Sequence, residues 1–97
     1  MSLEINDNDF LRQFEVKIDG KLAKIEYALQ ERKIFLTKLV IPESVSDDSF
    51  TDEFIRGVLS KIGETNRRVV PTSPQIAKFL RKHKMIYKDL LPVGIRI

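Results

Sequence analysis

A chain of 97 residues, 42% apolar and 32% charged, is sized for one domain of ordinary globular composition, able to bury roughly 60–65% of its unfolded surface. It has no cysteine, which excludes a disulfide framework and a thiolate zinc site, and its net charge of +3 falls far short of the basic density that marks nucleic-acid binders. The opening residues carry no secretory or transit pattern and no apolar run approaches a membrane span, so a cytoplasmic protein is expected.

Residues 1–13 are polar and unpatterned, and no element is predicted there. Phe14-Glu-Val-Lys-Ile18 alternates apolar and polar side chains with period two, as a half-buried strand does. Asp19-Gly20 follows, a strong hairpin signal because the tight turn needs positive φ. A second strand over 22–29 turns Ala23, Ile25 and Tyr27 to one face and Leu22, Lys24, Glu26 and Ala28 to the other. A polar turn around Gln30-Glu31-Arg32 leads into a third strand over 33–41, which is apolar on both faces near its end, as a central strand covered by helices on one or both sides would be.

Pro42 stops that strand, and a polar loop over 43–49 precedes a helix over 49–62. Ser49-x-x-Asp52 resembles a capping box, Phe50, Phe54, Ile55, Val58, Leu59 and Ile62 form the core-facing stripe, and Gly63 ends the helix. Arg67-Arg-Val-Val70 reads as a short strand. Ser73, as N-cap, and Pro74, at the first helical position, open a second helix over 74–82 with Ile76, Phe79 and Leu80 buried. His83 suits a helix C-terminus better than a catalytic role, and residues 93–97 could add an edge strand. The order of elements predicts one α+β domain over 1–97. Its mixed sheet is an antiparallel meander of three strands, followed by a right-handed crossover that sets the fourth strand parallel to the third.

A strand running through a short loop into a helix N-terminus is a common anion site, because the first-turn amides have no intrahelical partner. Here the loop has no glycine and carries Asp47 and Asp48, with Asp52 and Glu53 just beyond. Those carboxylates stabilise the helix start, by about 0.3–1 kcal/mol each, and oppose a phosphate. Lys78, Arg81, Lys82 and Lys84 form a basic face on the second helix that reads as solvated, and the absence of interleaved aromatics argues against nucleic acid.

The hairpin Asp19-Gly20 with Ala23-x-Ile25-x-Tyr27, then Ile34-x-Leu36 to Ile41-Pro42-Glu43, Val69-Val70-Pro71-x-Ser73-Pro74, Phe79 to His83 and Tyr87-x-Asp89-Leu90 occur in an order that resembles the small single-domain GNAT-type N-acetyltransferases. The resemblance implies the acyl-CoA N-acyltransferase fold, acetyl-CoA as cofactor without a metal, and cofactor contacts at Val40, Ile41, Ser46, Ser49, Phe50, Thr51 and Ser73. The chain departs from that family at its functional positions. The Gln/Arg-x-x-Gly-x-Gly/Ala loop reads Ser46, Ser49 and Thr51. The usual His-Thr of the third strand reads Lys38-Leu39, and the Cys-Pro of the second helix reads Ser73-Pro74. Lys38 and Ser73 are therefore the candidate catalytic groups. Two functions follow: an acetyl-CoA-dependent N-acyltransferase with weakened or lost CoA binding, or a non-catalytic module that meets a protein partner on the same scaffold.

Overall fold

The hairpin at the centre of the sheet follows from the alternation of its residues. β2 (Gln13–Ile18) and β3 (Lys21–Gln30) are antiparallel, with Phe14 opposite Ile25 and Val16 opposite Ala23. In the computed structural model, which describes residues 4–18, 20–45, 48–65 and 67–91, these four side chains and Tyr27 are buried. Gly20 has a φ of +74° in the two-residue turn, as the Asp-Gly pair predicts, while Asp19 lies outside the described residues.

A second two-residue turn, Glu31-Arg32, returns the chain into β4 (Lys33–Val40), antiparallel to β3. Its left-handed position is filled by Glu31, at φ +57°. An L side chain there costs about 1–2 kcal/mol, so Glu31→Gly is expected to raise unfolding stability by about 0.5–1 kcal/mol after the entropy glycine forfeits. A urea midpoint that falls in this variant would show that the Glu31 side chain contributes more than its backbone costs.

The N-terminal segment adds a strand to the expected three-stranded meander. β1 (Asn6–Asn8) pairs antiparallel with β2, so four strands form the meander. Asn-Asp-Asn has no strand preference of its own, and side chains hold it in place. The Tyr27 hydroxyl donates to the Asp7 carboxylate at 2.6 Å, and the amides of Asn8 and Gln13 both donate to Glu15. Burial, reinforced by the Asp7 carboxylate, pushes the Tyr27 pKa up from 10.0 to about 12. The folded state therefore holds a proton that the unfolded chain releases above pH 10, and folding stability falls as pH rises from about 10 to 12, by roughly 2–3 kcal/mol at most. Tyr27→Phe should flatten that alkaline decline in chemical unfolding measured across this range. Parallel curves for the two proteins would contradict the shift.

β4 carries a register shift that its sequence does not place. Glu26 pairs with Lys38 but Tyr27 pairs with Leu36, so Thr37 is an extra residue, a β-bulge, and its hydroxyl donates to the Glu26 carbonyl at 3.2 Å. The bulge reverses the alternation: Ile34 and Leu36 are buried on the core face, and beyond it Leu39, rather than Lys38, packs against the core. The apolar residues at both parities of this strand record a shift of phase on a sheet with one covered face.

α1 (Asp48–Gly63) and α2 (Pro74–Lys82) supply that cover, burying Phe54, Ile55, Val58, Leu59 and Ile62 from the first and Ile76, Phe79 and Leu80 from the second. α1 begins one residue before the expected cap, because Asp48 already complements the helix dipole. Ser49 therefore sits in the first turn, and Asp47 lies outside the described residues. Gly57 leaves room for Ile5, whose Cδ1 a Cβ at this position would strike, so the N-terminal segment docks on α1 there. β5 (Arg68–Pro71) follows α1 and pairs with β4 in parallel, as predicted, giving the sheet order β1-β2-β3-β4-β5. α3 (Lys84–Tyr87) and a 3₁₀ turn over Lys88–Leu90 bring Leu91 into the core, and the edge strand expected at 93–97 lies outside the described residues. No helix among the described residues is long and apolar enough to cross a membrane.

Candidate functional site

β4 and β5 pair only from Lys33 opposite Arg68 to Leu36 opposite Pro71. There the chain of β5 turns away into α2. The Leu36 carbonyl is the apex of the divergence, accepting from the Thr72 N–H at 3.1 Å, the Thr72 hydroxyl at 3.0 Å and the Ser73 N–H at 3.0 Å. Beyond it β4 continues through Thr37 to Val40 with β3 on one side and, among the described residues, no strand on the other. The parallel pair thus diverges into a wedge, and the bulge at Thr37 marks where it starts.

Ser73 sits at this apex, 3% exposed. It is the N-cap of α2 by position, with φ −73° and ψ 127°, and its carbonyl accepts from Ala77 at 2.9 Å, but its side chain makes no capping hydrogen bond. The expected capping role therefore belongs to its backbone and to Pro74, leaving the hydroxyl uncommitted to the helix. Lys38 is exposed, in register with Glu26 on the sheet face away from the helices, so the bulge separates it from Ser73. Val40 and Ile41 are half-buried at the mouth of the wedge, and Ile41 packs against the core. His83 is the C-cap of α2, its N–H donating to the Phe79 carbonyl at 3.0 Å and its ring 4.6 Å from that of Phe79, as expected of a structural residue.

The first turn of α1 follows Ile41 in the chain, after a 3₁₀ turn over Glu43–Val45. Ser49 is exposed, Phe50 is half-buried with its ring 6.1 Å from that of Phe54, and Thr51 is half-buried; Ser46 lies outside the described residues. Asp48, Thr51 and Asp52 face Gln75, Lys78 and Lys82 of α2 across a groove of about 270 Å³. Lys78 and Lys82 are thereby distinguished from Arg81 and Lys84, which do not line the groove. The basic face is split between solvent and the site. Sequence reasoning placed the acidic side of this groove and missed its basic side, because helical periodicity shows which residues share a face but not which helix lies opposite.

The separation of β4 from β5 after Leu36 and the bulge at Thr37 fall together at the middle of β4. Residues 13–90 match the family described as GCN5-related N-acetyl-transferase. The chain belongs to that family. A comparison with curated proteins finds no match to narrow the assignment. GCN5-related N-acetyltransferases typically use acetyl-CoA, and among the described residues no group of three or more His, Cys, Asp or Glu side chains could hold a metal ion.

Proposed function

We propose that the chain is an acetyl-CoA-dependent N-acyltransferase whose grip on the cofactor's phosphates is weak. The wedge between β4 and β5 supports this reading: the backbone edge over Thr37 to Val40 can pair with the amides of a pantetheine arm whatever its side chains are. The α1 N-terminus fits the cofactor less well. Its first turn carries Asp48, Ser49, Phe50 and Thr51, so no glycine lets a phosphate approach the amides, and Asp48 and Asp52 repel it while Lys78 and Lys82 attract it.

Bound acetyl-CoA would supply an electrophilic thioester carbonyl and a thiolate leaving group. The chain's part is to hold the arm along β4, admit an amine to the open wedge, and offer the Ser73 hydroxyl as a hydrogen-bond donor near the sulfur. Titration with acetyl-CoA by calorimetry in physiological salt should give a dissociation constant weaker than about 100 µM, and Ser73→Ala should lower turnover of an acceptor amine more than it lowers binding. Micromolar binding would overturn the weakened grip.

The carboxylates at the α1 N-terminus favour a second reading, a non-catalytic module that keeps the scaffold and meets a protein partner. The absence of any heat at millimolar acetyl-CoA would select it.

A further inference from the structure

The end of the sheet opposite the wedge carries two adjoining hollows that no acyl-transfer step uses. One, of about 430 Å³, is lined by Arg32, Arg67 and Arg68 with Asp89 as its one carboxylate. The other, of about 540 Å³, has Phe14, Leu29, Ile34 and Ile62 in its wall, with the carboxylates of Asp7, Asp9 and Glu64 and the cations of Arg12 and Lys61 beside them. Thr65 and Arg67 line both.

The backbone fixes the arginines. The Arg68 N–H donates to the Arg32 carbonyl at 2.7 Å, tying the β3–β4 turn to the start of β5. The Thr65 hydroxyl donates to the Ile62 carbonyl at 2.7 Å and accepts from the Arg67 N–H at 3.3 Å, which fixes the loop after α1. Among the described residues no salt bridge within 4.0 Å joins any of the three guanidinium groups to a carboxylate. Three like charges brought to one hollow repel each other, and a dianion placed among them would reverse that energy. The C-terminal dipole of α1 opposes an anion here, but the Lys61 carbonyl accepts from Glu64 at 3.2 Å and the Ile62 carbonyl from Thr65 at 2.9 Å, which blunts it.

We infer that this end of the molecule binds a phosphate monoester with an apolar or aromatic body, its phosphate among Arg32, Arg67 and Arg68 and its body in the adjoining hollow. The small size of the hollow and the modest net charge of +3 favour a small molecule over a nucleic-acid backbone. The proposal is independent of acetyl-CoA binding at the other end of the sheet.

The test is calorimetry with phenyl phosphate and inorganic phosphate. Phenyl phosphate should bind at least tenfold more tightly than inorganic phosphate. Arg67→Gln and Arg68→Gln, both at exposed positions, should each weaken phenyl phosphate at least tenfold while leaving thermal unfolding without ligand within about 2 °C. Asp89→Asn, which removes the competing carboxylate, should tighten it severalfold. Equal affinity for the two probes would overturn the two-part site. So would variants that lose stability without losing affinity, because the arginines would then serve only the α1 dipole. Tighter binding of duplex DNA than of phenyl phosphate, with steep salt dependence, would replace the small ligand by a nucleic acid.

Discussion

Phe54→Ala is expected to cost about 3–5 kcal/mol of folding stability, a large share of the roughly 5–15 kcal/mol that a domain of this length possesses. Phe54 is fully buried and is among the largest fully buried side chains of the chain, on the face of α1 that meets the sheet. Truncation removes the transfer energy of the ring and leaves a hollow that α1, tethered between β4 and β5, cannot close by moving one end. Phe10→Ala is the control: Phe10 is 93% exposed, and its loss should stay within about 0.5 kcal/mol. Urea unfolding of the two variants beside the parent measures both. A loss below about 1 kcal/mol at Phe54 would mean that α1 does not pack on the sheet as described.

Local pattern carried the elements far better than it carried the site. The alternation in β2 and β3, the positive φ of Gly20, the helical stripe ending at Gly63 and the Ser73-Pro74 start of α2 are all written in neighbouring residues, and the structure places them as read. β1 was invisible because Asn6–Asn8 owes its strand to Tyr27 and Glu15, partners distant in the sequence. The bulge at Thr37 did leave a trace. Ile34-Phe-Leu-Thr-Lys-Leu-Val40 changes parity midway, a pattern shared by a strand buried on both faces and a strand that slips by one residue, and only the register with β3 separates them. At the site, the carboxylates of Asp48 and Asp52 were legible while Lys78 and Lys82 looked solvated, since no sequence spacing shows that α2 lies across the groove from the α1 N-terminus.

That facing pair of charges sets the second large effect: Asp48→Asn and Asp52→Asn combined with Ser49→Gly and Thr51→Gly should strengthen acetyl-CoA binding at least thirtyfold. At about 6 Å, a carboxylate and a phosphate charge repel by roughly 3 kcal/mol at an effective dielectric near 20 and by about 0.7 kcal/mol at that of water. Taking about 1 kcal/mol for each of two carboxylates gives a factor of roughly thirty. Lys78 and Lys82 now oppose this repulsion, and once the acids are neutral their attraction acts alone. The two asparagines should therefore tighten binding by themselves, while the glycines open the approach to the first-turn amides at a cost of up to about 1 kcal/mol of helix stability each. Replacing Lys78 and Lys82 by Gln in the fourfold variant should return the affinity toward that of the parent. If the fourfold variant gains nothing in a calorimetric titration while remaining folded, the phosphates do not dock at this helix end, and the α1–α2 groove belongs to another partner.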